Sequence, residues 1–571
     1  MNRNTESHFS LTPTIGISRS KFDRSHTHKT TMNTGDIVPI FISDILPGDT
    51  VKMNMSEVIR MMTPITPVMD NAFADIYFFF EPNRLIYDHW KELMGENETA
   101  PWIQQVEYPV PQIIAPEGGW TKGSLADYFG YPTKIGGYKA DAMPFRCYAD
   151  IVNSWFRDEN LQNPLYIHKG DADITGVDIT DANLDPITDI EKGACCAKAS
   201  KVHDYFSSAL PGMQKGPAVK IPLGTDAPVM GVAPEAQPAS GYTTDTNLVG
   251  SHLALSVNAS GGVGVYDADD GIPSGWSATQ KTIGLTADLS QAVGATITQL
   301  RQAFQIQKWF EKAALMGSRY IETIKGHFDV TNPDFRMQRP EYLGGTRIPI
   351  NINQVVQTDA TTQRLGGYYD SDDKWNWEMS DQTPQGNTAA YSLTSGKEND
   401  LFTHSFTEHG WLIGLCVIRT VHTYQQGLNR MFSRKGIFDY YWPEFANLSN
   451  QSILNKEIYL QGPSVVDESG NAIDEQVFGY QECWAEYRYL PDRVSGEMRS
   501  NYDQSLDIWH WADYYEALPQ LGDEWIKETE KNIERTLAVQ NHDQFMADFY
   551  FQCIMTRPMP LYSVPGLIDH H

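Results

Sequence analysis

Between Asn71 and Pro82 the run NAFADIYFFFEP sets Phe73, Tyr77 and Phe79 on one face of an extended strand. Ala74, Ile76, Phe78 and Phe80 fall on the other. A strand apolar on both faces has to be covered on both sides, inside a sandwich or under another subunit, and Pro82 closes it. Upstream, PIFISDILPGDTVKMN ends one strand in a Pro-Gly-Asp turn and starts the next. Near the far end, NHDQFMADFYF places Phe545, Ala547, Phe549 and Phe551 on one face. QECWAEYRYLP reads as a strand too, with Cys483, Ala485, Tyr487 and Tyr489 opposite Glu482, Trp484, Glu486 and Arg488. The clearest helix keeps Leu300, Ala303, Phe304, Phe310, Ala313 and Ala314 at helical spacing, between a capping box at Thr296 and Gln299 and a stop at Gly317.

These patterns divide the chain into four zones. Residues 1–36 are polar and aperiodic, with strand signals starting at Ile37. They carry Arg3, Arg19, Lys21, Arg24 and Lys29 against Glu6, Asp23 and Asp36, so they read as a disordered terminus or as an arm touching phosphates or a neighbouring subunit. Residues 37–225 hold the first strands and their insertions. Residues 226–295 are rich in Gly, Ala, Ser and Thr, with Tyr242, Tyr266 and Trp276 their aromatics and Lys281 their one base. HLALSVNAS and GVGVYDA alternate there like short strands, which marks an exposed, small-cored insertion. Residues 296–571 hold the helix and the remaining strands.

Composition sharpens this reading. Tyr 28, Phe 24 and Trp 14 favour strands and interfaces, while Gly 44 and Pro 32 call for many long loops, so the fold class expected is all-β. The net charge of -28 excludes a general nucleic-acid binder with a basic face. The longest apolar run, WLIGLCVI, is too short to span a bilayer, and MNRNTESHFSLTP lacks a signal core, so neither export nor membrane insertion is expected. Cys147, Cys195, Cys196, Cys416, Cys483 and Cys553 form no C-x-x-C pair and suit a reducing compartment such as a cytoplasm.

Catalytic patterns are absent or broken. In HSFTEHGW, His404 and Glu408 would share one strand face while His409 falls on the other. DADITGVDITDA offers Asp171 and Asp173 at calcium-loop spacing, but Ala182 stands where a bidentate Glu belongs. No P-loop and no G-x-S-x-G occurs. Neither metal candidate has a full ligand set, and no catalytic residue is expected. RMQRPEYLGGTRIPI, Arg336 to Ile350, concentrates Arg336, Arg339, Tyr342, Gly344, Gly345 and Arg347 without a nucleophile. Forked guanidiniums, a rigid aromatic and close backbone approach suit a joint between two protein surfaces; a loop packed on its own subunit is the alternative.

Several stretches resemble one family: SHFSLTPTIGISRSKFDRSHTHKTTMNTGDIVPIFISDILPGDT, HDYFSSALPGMQKGPAVKIPLG, LRQAFQIQKWFEKAALMGSRYIETIKGHFDV, FGYQECWAEYRYLPDRVSGEMRS and RPMPLYSVPGLIDHH. In this order they are similar to the major capsid proteins of gokushoviruses, small icosahedral bacteriophages of the Microviridae with circular single-stranded DNA. The resemblance implies an eight-stranded viral jelly-roll β-sandwich with long inter-strand insertions and a few helices. It implies pentamers and a T=1 shell of sixty copies, found in the virion and assembled in the host bacterial cytoplasm. Its partners would be genomic single-stranded DNA, an internal scaffolding protein, a small basic DNA-packaging protein, a minor pilot protein and a bacterial surface receptor. No cofactor is implied, though divalent ions between subunits are compatible with it. The insertion around Tyr242, Tyr266 and Trp276 would be the threefold surface protrusion for host attachment. On the inner surface, Arg3, Arg19, Lys21, Arg24 and Lys29 would meet phosphates, and Phe22 and His26 would stack on unpaired bases; contact between arms is the rival. A carbohydrate-active sandwich enzyme and a receptor-binding spike are the other classes that this composition allows.

Overall fold

Nine strands frame the larger of two compact units, which comprises Met1–Met213 and Ala314–His571; the other is Gln214–Ala313. The computed structural model describes residues 18–94, 108–217, 339–356 and 388–562. It also describes segments 229–232, 253–257, 263–267, 284–287, 297–315, 364–369, 371–372 and 374–379. In chain order the strands are β1 (Ser20–Asp23), β2 (His26–Met32), β3 (Val38–Ile45), β4 (Thr50–Met61) and β5 (Ala72–Pro82). They continue as β6 (Glu341–Pro349), β7 (Thr394–Ser405), β8 (Gly410–Thr420) and β9 (Phe545–Arg557).

They form two antiparallel sheets. The first runs β2–β9–β4–β7, with β1 continuing beside β9. The second runs β6–β5–β8–β3. Period-two alternation in β4 and β9 aims Val51, Met53, Met55, Phe549, Phe551 and Met555 inward and leaves Lys52, Arg60, Met546 and Tyr550 outward. Between the sheets, Phe551 meets Phe41 at 5.1 Å and Phe78 at 6.3 Å, and Phe78 meets Phe402 at 5.5 Å. Gly414 of β8 leaves the room, since a Cβ there would lie 2.8 Å from the Phe78 ring. Such tilted and edge-on contacts add to the burial of large apolar area.

β5 is covered on both faces, as its sequence requires. Its second face carries Tyr77 and Phe79, which pack on Phe156 at 5.3 and 5.9 Å; Phe79 also meets Trp155 at 5.5 Å. Both partners lie in the turn Val152–Phe156 that continues the buried helix α1 (Met143–Ile151). The cover therefore comes from the chain's own insertion between β5 and β6.

Two expectations are corrected. The polar stretch up to Asp36 is not an arm throughout: β1 and β2 pair with β9 from Ser20 to Met32. An edge strand facing solvent needs few apolar residues, so hydropathy hid it. QECWAEYRYLP does not stay extended either. The strand Val477–Glu482 ends before Trp484, which takes φ 67° and starts the helical turn Ala485–Arg488. Helix α2 spans Ile297–Leu315, with all but its last two residues in the smaller unit, where Leu253–Val257 pairs with Val263–Asp267. Thr296 and Gly317, expected at its ends, lie outside the described residues.

One core-facing position of β4 is acidic. Glu57 of β4 is 1% exposed, sits opposite Gly396 of β7, and neither carboxylate oxygen has a hydrogen-bond partner. Burial, then repulsion from Glu398, raises its pKa to about 7. The folded chain thus keeps this proton over a range where the unfolded chain has released it. Stability falls as pH rises from the ordinary carboxylate range to about 7, by on the order of 3 kcal/mol for this group. Glu57→Gln is expected to flatten the difference in thermal unfolding midpoint between pH 5 and pH 8; an unchanged difference would remove Glu57 from this role.

Candidate subunit-contact surfaces

The segment from Arg339 to Ile350 is the outer strand of the second sheet, and its side chains first serve the chain itself. Arg347 forks onto Asp75 of β5 through Nε at 2.6 Å and a terminal nitrogen at 2.9 Å, while Arg419 of β8 reaches the same carboxylate at 3.4 Å. Asp75 is buried, so two guanidiniums neutralise a charge that would be costly alone. Arg339 lies 4.1 Å above the Trp155 ring, whose indole N–H donates to the Pro340 carbonyl at 3.0 Å. Tyr342 packs on Phe79 at 5.6 Å and Trp155 at 5.9 Å, and stays 41% exposed.

The two glycines answer to close approach. A Cβ on Gly344 would lie 2.6 Å from the Leu401 carbonyl oxygen, and one on Gly345 2.2 Å from that of Ile76. The register shift between Tyr342 and Gly344 is a bulge that lets this edge strand touch β7 and β5 at once. Of the six residues expected at a subunit joint, five thus hold intramolecular positions, and Arg336 lies outside the described residues.

Strand geometry also sorts the residues expected at nucleic acid. Lys21 and Lys29 pair across from Thr556 and Asp548 on the open face of the first sheet, with Lys29 3.3 Å from the Asp548 carboxylate. Arg19 is exposed beside them in sequence. Phe22 and His26 point the other way, where the His26 ring stacks 5.4 Å from Phe41. Alternation turns those two rings toward the core side, so they do not join the lysines on one surface. Arg24 donates to Ser43 at 2.9 Å and reaches Asp44 at 3.4 Å. Arg3, Tyr242 and Trp276 lie outside the described residues, as does the side chain of Tyr266.

The metal candidates have ordinary partners. His404 and Glu408 do not share a strand face: β7 stops at Ser405 and Glu408 sits in the turn before β8. Arg84 forks onto Glu408 at 2.5 and 3.2 Å, and His404 faces Glu341 at 3.5 Å. Asp171 accepts from Tyr87 and pairs with His89, both at 2.8 Å, and Asp173 pairs with Lys139 at 2.7 Å. Among the described residues no group of three or more His, Cys, Asp or Glu could hold an ion, and all six cysteines are free.

A buried polar cluster around His422 is sealed. His422 contacts Asp513 at 3.0 Å and Glu528 at 3.1 Å, with Lys201 3.8 Å from Asp513. Burial alone would lower the pKa of His422, but the two carboxylates outweigh it and raise it to about 10. His422, Asp513 and Glu528 are almost wholly buried. A protonated imidazole held this way ties chain segments together and offers a substrate no access.

Sequence reasoning passed over another surface. Arg430–Phe445 holds six aromatics in a stretch without strand alternation, and most stand exposed; aromatic density outside any periodic pattern was the available signal.

Facing antiparallel sheets with long insertions go with the family to which the chain is similar. The family model described as "Capsid protein (F protein)" matches residues 10–567. The chain belongs to this phage capsid protein family. It is 40% identical to "Capsid protein VP1" of Chlamydia phage 1, over 98% of this chain and 97% of that protein. It is 40% identical to "Capsid protein VP1" of Bdellovibrio phage phiMH2K, over 99% and 98%. Against "Capsid protein VP1" of Spiroplasma virus 4 the identity is 38%, over 98% and 97%. The gokushovirus resemblance is borne out, and with it a structural, non-enzymatic role in the virion. Copies of a capsid protein assemble into a shell. No helix among the described residues is long and apolar enough to cross a membrane.

Within this capsid protein, Gly345→Ala is expected to cost about 1–3 kcal/mol in denaturant unfolding, because the new methyl meets backbone that cannot swing aside. Full stability in the variant would show that β5 and β6 can separate without loss.

Proposed function

We propose that this capsid protein is an eight-stranded jelly roll that closes a T=1 icosahedral shell of sixty copies around a circular single-stranded DNA genome. One observation carries the reading: β2–β9–β4–β7 faces β6–β5–β8–β3, and from β2 onward successive strands pass from sheet to sheet except between β5 and β6. Two Greek keys wound into facing sheets produce that order, the architecture of viral jelly rolls. The connections from β5 to β6 and from β8 to β9 carry most of the remaining chain and supply material for contacts between copies. On β6, the outer side of Tyr342 and the half-exposed Arg347 are available to a neighbour.

In this reading residues 226–295 form the threefold protrusion that attaches to a bacterial receptor. Pentamers form in the host cytoplasm with a scaffolding protein, and a small basic protein and a pilot protein join the genome. An acidic subunit suits a genome neutralised largely by another protein. Arg19, Lys21 and Lys29 are the contacts this chain would contribute, on the open face of the first sheet.

Sedimentation and light scattering test the shell. The expected particle has roughly sixty subunit masses of 64.4 kDa; a stable monomer that never assembles with scaffold present would overturn the reading. For the DNA contacts, Lys21→Ala with Lys29→Ala is expected to leave particles intact. The variant should reduce the salt dependence of single-stranded DNA binding by about 0.7 in log–log slope per lysine. An unchanged slope would take both residues off the genome.

A further inference from the structure

After β8 the chain makes three single turns of 3-10 helix, Arg430–Phe432, Ile437–Asp439 and Pro443–Phe445. Their apolar side chains point outward: Phe432 is 65% exposed, Ile437 62% and Phe438 70%, with Tyr441 and Trp442 more than two-fifths exposed beside them. Leu490, 67% exposed, adds to the group from just beyond the helical turn Ala485–Arg488. Single exposed apolar residues are normal on a protein surface, whereas a sequence-contiguous group of this size marks an interaction site.

The group is held rigidly. The Asp439 carboxylate accepts from the backbone N–H groups of Lys435 and Gly436, both at 2.7 Å. The Trp442 indole donates to the Ile437 carbonyl at 3.0 Å, and that of Trp484 to Phe445 at 2.9 Å. Arg434 lies over Tyr487 at 4.4 Å and Tyr440 at 5.1 Å, with Glu486 3.9 Å away. Pinning these rings before contact lowers the entropy lost when they are covered.

We propose that this surface docks on a second copy of the same chain, an inference that rests on the shell reading and gives it a location. Charge selects that partner. The chain carries -28 overall, so most of its surface repels another copy. Within residues 430–448 Arg430 is taken up by Glu457 at 2.9 Å and Arg434 lies 3.9 Å from Glu486, which leaves Lys435 against Asp439 and Glu444 in a patch close to neutral, where two acidic copies meet with least repulsion. Three bases are too few for a nucleic-acid footprint, and an acidic chain is repelled by an anionic membrane. Trp, Tyr and Arg around exposed Phe and Ile are the residues that dominate binding at protein–protein contacts.

Hydroxyl-radical footprinting of wild-type particles and of subunits dissociated from them tests the contact directly. Oxidation of Phe432, Phe438, Tyr441 and Trp442 is expected to fall by about tenfold on assembly, as burial of hot-spot rings requires; equal labelling in both states would overturn the inference. The paired substitution Ile437→Ser with Phe438→Ser removes side chains that support none of the hydrogen bonds above. It is expected to keep the near-ultraviolet circular dichroism of the folded subunit and to raise the concentration needed for assembly by about tenfold or more. Particles at wild-type yield from this variant would overturn the contact while leaving the shell reading intact. Failure of the wild-type chain to form particles would instead overturn the shell reading.

Discussion

Everything in the larger unit depends on β5 having no face for water. Phe78 commits one side to the opposite sheet through Phe402 and Phe551, with Phe41 of its own sheet packed beside it, and Tyr77 and Phe79 commit the other to Trp155 and Phe156. A sheet closed on one side only would leave large aromatic area wet, at roughly 25 cal/mol for each Å². The connection from β5 to β6 therefore has to return over its own sheet before the chain can continue. The length of that insertion and the burial of α1 follow from the composition of one strand.

That constraint was legible because it is written in consecutive residues. β5 and the inward face of β9 are fixed by alternation alone, and α2 by helical spacing. What stayed hidden depends on partners distant in sequence. Arg347 finds Asp75 across 272 positions, so the chain could suggest a joint at Arg336–Ile350 without saying that its first partner is intramolecular. β2 was read as an arm because Met32 is its one fully buried residue, and an edge strand takes its pairing from backbone rather than side chains. The turn at Trp484 was missed because an indole at positive φ breaks an alternation that otherwise continues unbroken. The exposed aromatics after Arg430 were visible as composition, but no periodic template asks what a non-periodic cluster of rings is for.

Buried charge divides into two kinds. The cluster of His422, Asp513, Glu528 and Lys201 is mutually compensated and joins segments spread from Lys201 to Glu528, so it holds insertions in one arrangement rather than adding much net stability. Glu57 is uncompensated among the core strands, and Glu81, fully enclosed near Asp150, likewise has its pKa raised, by burial first and then by that neighbour. Glu57, raised to about 7, makes the folded chain hold a proton near neutrality. A subunit built this way is more tightly folded under mildly acid conditions than under alkaline ones.

Assembly sets a separate electrostatic problem. Copies carrying -28 each repel at long range, but at physiological ionic strength that repulsion decays over about 8 Å. Its effect is to prevent non-specific clustering while leaving surfaces in contact free to be decided locally. Attraction at contact must then come from places where acids are sparse and apolar area is already ordered. The stretch from Arg430 to Leu448 meets both conditions, whereas the open face of the first sheet, with its lysines and Asp548, meets neither as well. The same acidity that keeps isolated subunits apart thus narrows the ways in which they can join, and a shell with one geometry needs that narrowing as much as it needs affinity.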